Sequence, residues 1–311
     1  MPPSRTTPIS DGLADTIAAR TCAALATGAL EPIETDETAL EDGDVRFVVR
    51  SVSSLARKRA AWAIPKDGAR PNPFAPPDAE LVIGDITPTH FGVLNKYPVV
   101  AHHLLVVTDE FVDQETLLDT TDFAALAACL RQVDGLGFYN GGREAGASQS
   151  HRHLQHVPLP LSTQRGGDAW SVPMEAVFDQ WSSGGGTTRL LRLPFRNAFG
   201  VLEPSLFNAA DAAERLLELY TLMLAACGLH EESANDGGRA ANEPERPLGP
   251  YNLLVTRGWM LLVPRTQEHF GTISVNALGF AGSLFVRDEA EMDALRAAGP
   301  MSALRAVAVP Y

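Results

Sequence analysis

Two histidines and a glutamine are spaced two residues apart in the segment GASQSHRHLQHVPLP, residues 146–160. On a β-strand, residues two positions apart point to the same face. His151, His153 and Gln155 are therefore expected to share one face of such a strand. The residues between them point to the other face. The spacing thus predicts that two imidazoles and one carboxamide can act on a single ligand.

Three chemical interpretations of this pattern compete. Two imidazoles can ligate zinc, but zinc requires a third protein ligand, Gln155 is a poor one, and no cysteine lies nearby. The histidines can also be structural, with their nitrogens bonded to backbone groups beneath a loop. In the third interpretation, a neutral imidazole with a pKa of about 6.5 attacks phosphorus and forms a phosphoramidate that a second nucleophile opens. Its other ring nitrogen keeps its proton, usually against a carbonyl oxygen.

The residues before the histidines favour nucleophilic catalysis. Small loop residues allow backbone N–H groups to approach a phosphate closely, and the loop before His151 reads Gly-Ala-Ser-Gln. A neighbouring histidine and an amide can orient the oxygens around the reacting phosphorus. This interpretation accounts for every unusual residue of the segment, so we take it as the working hypothesis.

Charge and composition restrict the class of partner. The 311 residues carry a formal net charge of −13, and an acidic field repels nucleic-acid backbones. A small anionic ligand would need a local cluster of cations. The three cysteines form no CxxC pair, which argues against a disulfide framework and a zinc ribbon. The chain shows no apolar run of about 18 residues and no apolar signal core, so no membrane partner and a cytoplasmic location are expected.

Helices and strands alternate without a regular βαβ pattern, which favours an α+β fold with a largely antiparallel sheet. Helices are expected over 11–30, 111–135 and 208–228. Strands are expected over 45–55, 79–86, 90–100, 102–108, 136–142, 151–159 and 251–265, the last containing a turn at Arg257 and Gly258. One of the adjacent His102 and His103 is expected to face the core. Neither GxGxxG after a strand nor GxxxxGK[ST] occurs, so neither phosphate loop holds a nucleotide.

Four segments of the chain resemble one enzyme family. They are NPFAPPDAELVIGDITPTHFGVLNKYPVVAHHLLVVT (72–108), FYNGGREAGASQSHRHLQHVPLP (138–160), YNLLVTRGWMLLVPR (251–265) and ISVNALGFAGSLFVR (273–287). In this order they resemble the ATP adenylyltransferase (diadenosine tetraphosphate phosphorylase) family. That family is a branch of the histidine-triad (HIT-like) superfamily in which glutamine replaces the third histidine. The resemblance implies a HIT-like fold, with a largely antiparallel central sheet flanked by helices.

The same resemblance implies two regions, which can form one compact unit. Residues 1–190 would be the N-terminal HIT-like catalytic region that carries the H-x-H-x-Q motif. Residues 191–311 would be the C-terminal ATP adenylyltransferase region that completes the nucleotide site.

The reaction implied by the resemblance has two steps. His153 attacks the α-phosphorus of a dinucleoside polyphosphate and expels ATP, and inorganic phosphate then releases the adenylyl (AMP) group as ADP. The reverse direction makes diadenosine tetraphosphate from ATP and ADP. His151 would orient the site, and Gln155 would contact the reacting phosphate. A divalent cation, Mg²⁺, is expected to bind mainly through substrate phosphates.

The resemblance also assigns substrate-binding positions. They are Lys58, Asn95, Lys96, Asn140, Gly146, Ala147, Ser148, Gln149, Asn276, Ala277, Leu278, Ser283 and Arg287. Lys58 is flanked by Arg57 and Arg59. Ser283 and Arg287 stand where the family has methionine and lysine, which loses apolar contact at the first position and changes the geometry of the cation at the second. Because the protein is acidic, the polyphosphate would depend on local cations, with Lys58, Lys96 and Arg287 as the main candidates and Arg143 and Arg152 as additions.

Each assigned position also has a structural interpretation. Asn95 and Asn140 are ordinary turn residues, and Lys96 is an ordinary solvated charge. Without the resemblance, the segment VNALGFAG, residues 275–282, predicts a core strand with a bend at its small residues.

Two other functions share part of the pattern. Hexose-1-phosphate uridylyltransferases also carry H-x-H-x-Q, but they typically have proline where Arg152 stands, and their CxxC zinc site is missing here. A non-catalytic dinucleotide-binding sensor would bind the same ligand without releasing products. The intact H-x-H-x-Q motif argues against the sensor.

Overall fold

The computed structural model describes residues 8–52, 72–162, 171–178, 187–188, 190, 192–230 and 245–311. Lys58, one of the predicted substrate-binding residues, lies outside these ranges. Within them, no helix is both long and apolar enough to cross a lipid bilayer.

The described residues form α-helices and β-strands in mixed order. The helices are α1 (Leu13–Thr27), α2 (Thr120–Gln132), α3 (Ala212–Ala226), α4 (Ala277–Phe280), α5 (Glu289–Ala298) and α6 (Pro300–Val307). The strands are β1 (Thr35–Asp42), β2 (Val45–Val52), β3 (Val82–Thr87), β4 (His90–Leu94), β5 (Leu104–Thr108), β6 (Gly135–Gly141), β7 (His153–Pro158), β8 (Thr187–Thr188), β9 (Ala198–Val201), β10 (Tyr251–Val255), β11 (Trp259–Pro264), β12 (His269–Phe270), β13 (Ile273–Ser274) and β14 (Ser283–Val286).

A nine-stranded sheet organises the molecule, in the order β3-β4-β5-β7-β6-β10-β11-β9-β8. Every pair of neighbouring strands in it is antiparallel. Strand β6 of the N-terminal half is hydrogen-bonded to β10 of the C-terminal half, so one sheet runs through both halves of the chain. The predicted α+β architecture with a largely antiparallel sheet is confirmed.

The two faces of this sheet are covered by different elements. Along β10, Leu253 and Val255 pack in one apolar core with residues of α1, α2 and α3. Leu254, between them, packs in a second core with residues of β2, β14 and the C-terminal helices. Strand β2 lies in a smaller sheet, antiparallel to β1 and parallel to β14. The alternation of Leu253, Leu254 and Val255 between the two cores is the one expected of a strand buried on both faces.

Helix α2 begins nine residues later than the sequence predicts. Asp119 caps it by accepting hydrogen bonds from the backbone N–H groups of Thr121 (2.7 Å) and Asp122 (3.3 Å). The Asp122 carboxylate accepts the backbone N–H of Asp119 in return (2.8 Å), which completes a capping box. The preceding residues, 109–119, instead form the loop between β5 and α2.

Two predicted strands are wrong in part. Strand β4 ends at Leu94 because the Asn95 side chain accepts the backbone N–H of Tyr97 (3.1 Å) and turns the chain. The segment VNALGFAG contains the single helical turn α4 in place of a core strand. The Asn276 side chain caps that turn by accepting the backbone N–H of Leu278 (3.0 Å), and only β14 after it is extended.

Candidate active site

His153 is the first residue of β7, and only 4% of its surface is exposed. Its Nδ1 lies 2.8 Å from the backbone carbonyl oxygen of His151. A carbonyl can only accept, so Nδ1 carries the ring proton and Nε2 keeps its lone pair. No described residue forms a hydrogen bond with Nε2. The geometry therefore provides one held proton and one uncommitted nitrogen, as nucleophilic attack requires.

The electrostatic setting keeps this imidazole neutral. Burial lowers the pKa of His153 to about 4, because removing the ring from water penalises its charged form. At neutral pH the side chain is then almost wholly in its nucleophilic form. A protonated imidazole has no lone pair with which to attack phosphorus.

His151 is held by both of its ring nitrogens. Nε2 lies 2.9 Å from the Thr108 carbonyl oxygen and donates to it, and Nδ1 accepts from the Asn72 amide at 2.9 Å. The ring of Phe74 lies against both His151 and His153, with centroid separations of 5.7 and 5.4 Å. The two histidines therefore offer one uncommitted nitrogen between them, which does not fit a shared metal ion. Among the described residues, no group of three His, Cys, Asp or Glu side chains is placed to hold a metal.

Gln155 belongs to a hydrogen-bonded chain of three side chains. Its Oε1 accepts from Nε2 of His103 (2.9 Å), and Nδ1 of His103 accepts from the Asn95 amide (3.2 Å). Burial lowers the pKa of His103 to about 4, so this ring carries one proton, and the proton lies on Nε2. With its oxygen held by His103, Gln155 has its amide nitrogen left for a ligand. Of the adjacent histidines, His103 is buried, which confirms that one of the pair faces the core.

The predicted phosphate loop contacts the predicted nucleotide-contacting segment. Gly146 has a φ of +92°, and a Cβ atom there would lie 2.9 Å from Cβ of Asn276. Only glycine fits this conformation and this close approach. The Asn140 Oδ1 accepts the backbone N–H of Ala277 (3.0 Å), which joins the same two parts of the chain. Residues 140, 146, 276 and 277 are thus brought together.

Backbone donors in the loop are available to an anion. The N–H of Ala147 donates to the carbonyl oxygen of Gly142 (3.2 Å). For the next two residues, Ser148 and Gln149, no partner of the backbone N–H is found within the part of the chain that the structure describes. Successive free N–H groups of this kind are suited to a phosphate.

Buried polar groups support this loop from behind. Arg265, only 2% exposed, donates to the carbonyl oxygens of Val275 (2.8 Å) and Ala145 (3.4 Å). Asn252 donates to the same Ala145 oxygen (2.8 Å) and to Oδ1 of Asn140 (2.8 Å). Burial lowers the pKa of Arg265 to about 10, so it stays charged at neutral pH. The loop and the residue before Asn276 are therefore fixed to one guanidinium group.

The sequence did not predict several of these supporting residues. The sequence predicts no function for Asn72, Asn252 or Arg265, although Asn252 interrupts one apolar strand run and Arg265 ends another. A buried polar side chain needs a hydrogen-bond partner, so a polar residue in such a run indicates a supporting role. Asn72 lies in a proline-rich stretch and gave no comparable signal.

The predicted cations lie in unlike environments. Lys96 is half-buried, with Nζ 5.8 Å from the centroid of the Tyr97 ring, and forms no ion pair with a described residue. Arg287 is exposed and paired with Glu291 one helical turn later. Ser283 is buried, and its Oγ accepts from the Arg50 guanidinium (2.7 Å). Substrate binding by Lys96, Ser283 and Arg287 remains a prediction.

Arg152 is not available to a substrate phosphate, and that expectation is wrong. It points to the face of the sheet that α2 covers, where Nη1 lies 2.7 Å from Oδ2 of Asp122. Oδ1 of Asp122 in turn lies 3.1 Å from Nε2 of His90, and all three side chains are buried. Removing one partner from such a buried pair typically costs about 3–5 kcal/mol. Arg152 therefore fixes β7 to α2.

Burial of neutral histidines predicts a pH-dependent stability. The pKa values of His103, His153 and His156 are lowered to about 4, against about 6.5 in an unfolded chain. Between these values the unfolded chain binds more protons than the folded one, so stability falls as the pH falls from 6.5 toward 4. We expect a loss of about 1 kcal/mol for each imidazole by pH 5.5. Urea unfolding at pH 7.5, 6.5 and 5.5 measures it.

A variant that lacks one of the three buried imidazoles provides the control for this prediction. His153→Asn should make the slope shallower. An unfolding free energy that stays constant from pH 7.5 to 5.5 would contradict the prediction.

The fold and the site together define a HIT-like protein in which a strand-borne imidazole keeps one uncommitted ring nitrogen. The chain belongs to the Ap4A phosphorylase family, an enzyme family of nucleotidyltransferases. Residues 4–180 match the family model for the Ap4A phosphorylase N-terminal domain, and residues 191–310 match that for the ATP adenylyltransferase C-terminal domain. The predicted family is confirmed.

Yeast relatives are similar to this chain over most of its length. Diadenosine 5',5'''-P1,P4-tetraphosphate phosphorylase 2 of Saccharomyces cerevisiae is 28% identical over 317 residues, which cover 92% of this chain and 91% of that protein. The crystal structure of yeast Ap4A phosphorylase Apa2 superposes with a TM-score of 0.75 at 24% identity, covering 96% of this chain and 95% of that one. The Apa2 complex with Ap4A gives 0.73 at 24% identity, covering 96% and 98%. These structures share the fold of this chain.

Proposed function

We propose that this enzyme phosphorolyses diadenosine tetraphosphate to ATP and ADP, reversibly, through an adenylyl group carried on His153. One observation carries the proposal. Nδ1 of His153 donates its proton to the His151 carbonyl oxygen, 2.8 Å away, which leaves Nε2 as a neutral nucleophile. The family to which the chain belongs and its yeast relatives support the choice of substrate.

In the first step the lone pair of Nε2 attacks the α-phosphorus, and a nitrogen–phosphorus bond forms. The bond from that phosphorus to the oxygen bridging to the β-phosphate breaks, and its electron pair leaves with ATP. The ring now carries positive charge, and the Nδ1–H stays on the His151 carbonyl. A hydrogen bond to a fixed carbonyl strengthens as this charge develops, which lowers the barrier.

In the second step an oxygen of inorganic phosphate attacks the adenylyl phosphorus. The nitrogen–phosphorus bond breaks, its electron pair returns to Nε2, and ADP is released. The proton of the attacking phosphate passes to solvent. His153 regains the neutral form with which the cycle began.

Other residues of the site would bind the charged oxygens. The Gln155 amide nitrogen would donate to the reacting phosphate, and the backbone N–H groups of Ser148 and Gln149 would donate to phosphate oxygens from the loop. Lys58, Lys96 and Arg287 would contribute positive charge at the polyphosphate. Donors that are already in place when charge develops need no reorganisation during the reaction.

We further propose that Mg²⁺ accompanies the polyphosphate and binds mainly through its oxygens. Mg²⁺ usually keeps several waters and binds through few carboxylates together with substrate phosphates. The donors identified at this site are imidazole, amide and backbone N–H groups, which do not suit a hard cation. The chemistry that Mg²⁺ supplies when bound is partial neutralisation of the phosphate charge.

The cysteines support a reducing, cytoplasmic setting. Cys22 is exposed and unpaired, and Cys129 and Cys227 are buried as free thiols. Thiols remain free where glutathione and thioredoxin keep them reduced. ATP, ADP and phosphate, the proposed ligands, are abundant in such a compartment.

Chromatography of the products tests the proposal. With diadenosine tetraphosphate and phosphate, we expect ATP and ADP in equal amounts. Without phosphate, ATP should appear only in an amount equal to that of the enzyme, because the adenylyl group stays on the protein. Binding without any product would identify a sensor. Exchange of uridylyl groups between sugar phosphates would identify a uridylyltransferase.

A further inference from the structure

The side chain of Gln114 is inserted next to the proposed nucleophile. Gln114 lies in the loop between β5 and α2 and is 1% exposed. Its Oε1 accepts the backbone N–H of His153 at 2.8 Å. Its Nε2 donates to the carbonyl oxygen of Asn140 at 3.0 Å and to that of His153 at 3.3 Å. One carboxamide therefore satisfies backbone groups of two different strands.

These contacts occur where the pairing of two strands stops. The β6–β7 ladder runs from Gly135 opposite Pro158 to Phe138 opposite Gln155. Continued in the same register, it would place Asn140 opposite His153. Of the backbone groups that would face each other there, the N–H and carbonyl of His153 and the carbonyl of Asn140 bond to the Gln114 amide instead. The side chain thus holds β6 and β7 apart at His153.

Both backbone polar groups of Gln114 form hydrogen bonds. Its backbone N–H donates to the carbonyl oxygen of Ser150 (2.8 Å), and its carbonyl oxygen accepts from the hydroxyl group of Tyr139. Asp113 and His151 form an isolated antiparallel bridge beside it. With its backbone held in this way, the amide has little freedom to follow a shift of His153.

We propose that Gln114 is a positioning residue for adenylyl transfer. It does not touch the reacting atoms. It sets the backbone of His153 and hence the position from which Nε2 attacks. Displacing a reacting group by about 1 Å can cost about 10²-fold in rate. Without the amide, β6 and β7 can close by one more pair and draw His153 toward Asn140. This inference rests on the proposed function of His153.

The test compares two variants that lose equivalent hydrogen bonds. Gln114→Met removes the amide with little change in volume. Gln132→Met is its matched control, because the Gln132 amide likewise accepts a backbone N–H, from Leu13 (3.2 Å), and donates to a carbonyl, of Ile9 (3.0 Å), away from the site. The measurements are the single-turnover rate of His153 adenylylation by mass spectrometry, the Kd for diadenosine tetraphosphate, and the Tm.

We expect Gln114→Met to slow adenylylation by about 10²-fold while Kd changes by less than about threefold. Gln132→Met, at a half-buried position, should lower the Tm by no more than Gln114→Met does and leave the adenylylation rate within about twofold of the wild type. An adenylylation rate for folded Gln114→Met close to that of the wild type would overturn the inference. So would an equal loss of rate in the two variants, which would mean that Gln114 acts only through stability.

Gln114→Asn covers the case in which Gln114→Met does not fold. It keeps the amide but shortens its reach by one methylene, and we expect a slower adenylylation at unchanged Kd. An unchanged rate in that variant would also overturn the inference. If the wild-type enzyme itself forms no adduct on His153, the proposed function fails first, which separates the two outcomes.

Discussion

Replacing His153 with alanine is expected to abolish turnover of diadenosine tetraphosphate and leave the fold intact. The expected loss is about 10⁴-fold or more, as is typical when a covalent nucleophile is removed. His151 cannot substitute for it, because the Thr108 carbonyl oxygen and the Asn72 amide occupy both of its ring nitrogens. Initial rates of ATP release measure the effect, and circular dichroism checks the fold.

The covalent intermediate provides the sharper measurement. Wild-type enzyme mixed with diadenosine tetraphosphate in the absence of phosphate should gain one adenylyl group, located on His153 by peptide mass spectrometry. His153→Ala should gain none, and His269→Ala, which changes an exposed histidine, should behave as the wild type. An adduct on another residue, or full activity of His153→Ala, would refute the assignment.

The face that carries the chemistry was predictable because strand geometry is local. The two-residue period alone placed His153 and Gln155 on one side of β7 and Arg152 on the other. The structure bears this out, since Leu154 packs in the core with α2 and Val157 packs in the opposite core. The antiparallel sheet was likewise predictable from the order of elements. In each case, neighbours along the chain decide the result.

Contacts between distant segments could not be predicted in the same way. Gln114 and His153 are 39 residues apart in the chain, and their contact depends on where the β6–β7 ladder ends. The choice between His102 and His103 was ambiguous for a local reason. His102 has a φ of +59°, so the regular alternation of faces is interrupted immediately before β5. Counting alternate residues in the sequence does not detect such an interruption.

The C-terminal positions show how far a family resemblance extends. Asn276 and Ala277 lie against the loop through Gly146 and Asn140. Ser283, which stands in place of a methionine, is instead bonded to Arg50 of the smaller sheet. A hydroxyl group can accept from a buried guanidinium, which a methionine side chain does only weakly. The departure from the family pattern is thus matched by a polar partner inside this protein.

Gln155→Ala is expected to lower the rate of adenylyl transfer by about 10²-fold, the usual cost of removing one donor to a developing charge. His103 holds the Gln155 oxygen at 2.9 Å, which leaves the Gln155 amide nitrogen for the reacting phosphate in the proposed reaction. His103→Ala should therefore also slow the reaction, by a smaller factor. The measurement is kcat and KM for the two single variants and the double variant, with kcat carrying most of the loss.

The double variant decides whether the two residues act as one unit. If His103 works only by orienting Gln155, its removal should cost nothing further once Gln155 is alanine, and the double variant should match Gln155→Ala. Coupled residues give such non-additive effects, whereas independent ones add in free energy. Purely additive losses would separate His103 from Gln155. A Gln155→Ala enzyme as fast as the wild type would make the glutamine a structural residue, and the transition-state charge would then be stabilised by the loop N–H groups and the cations instead.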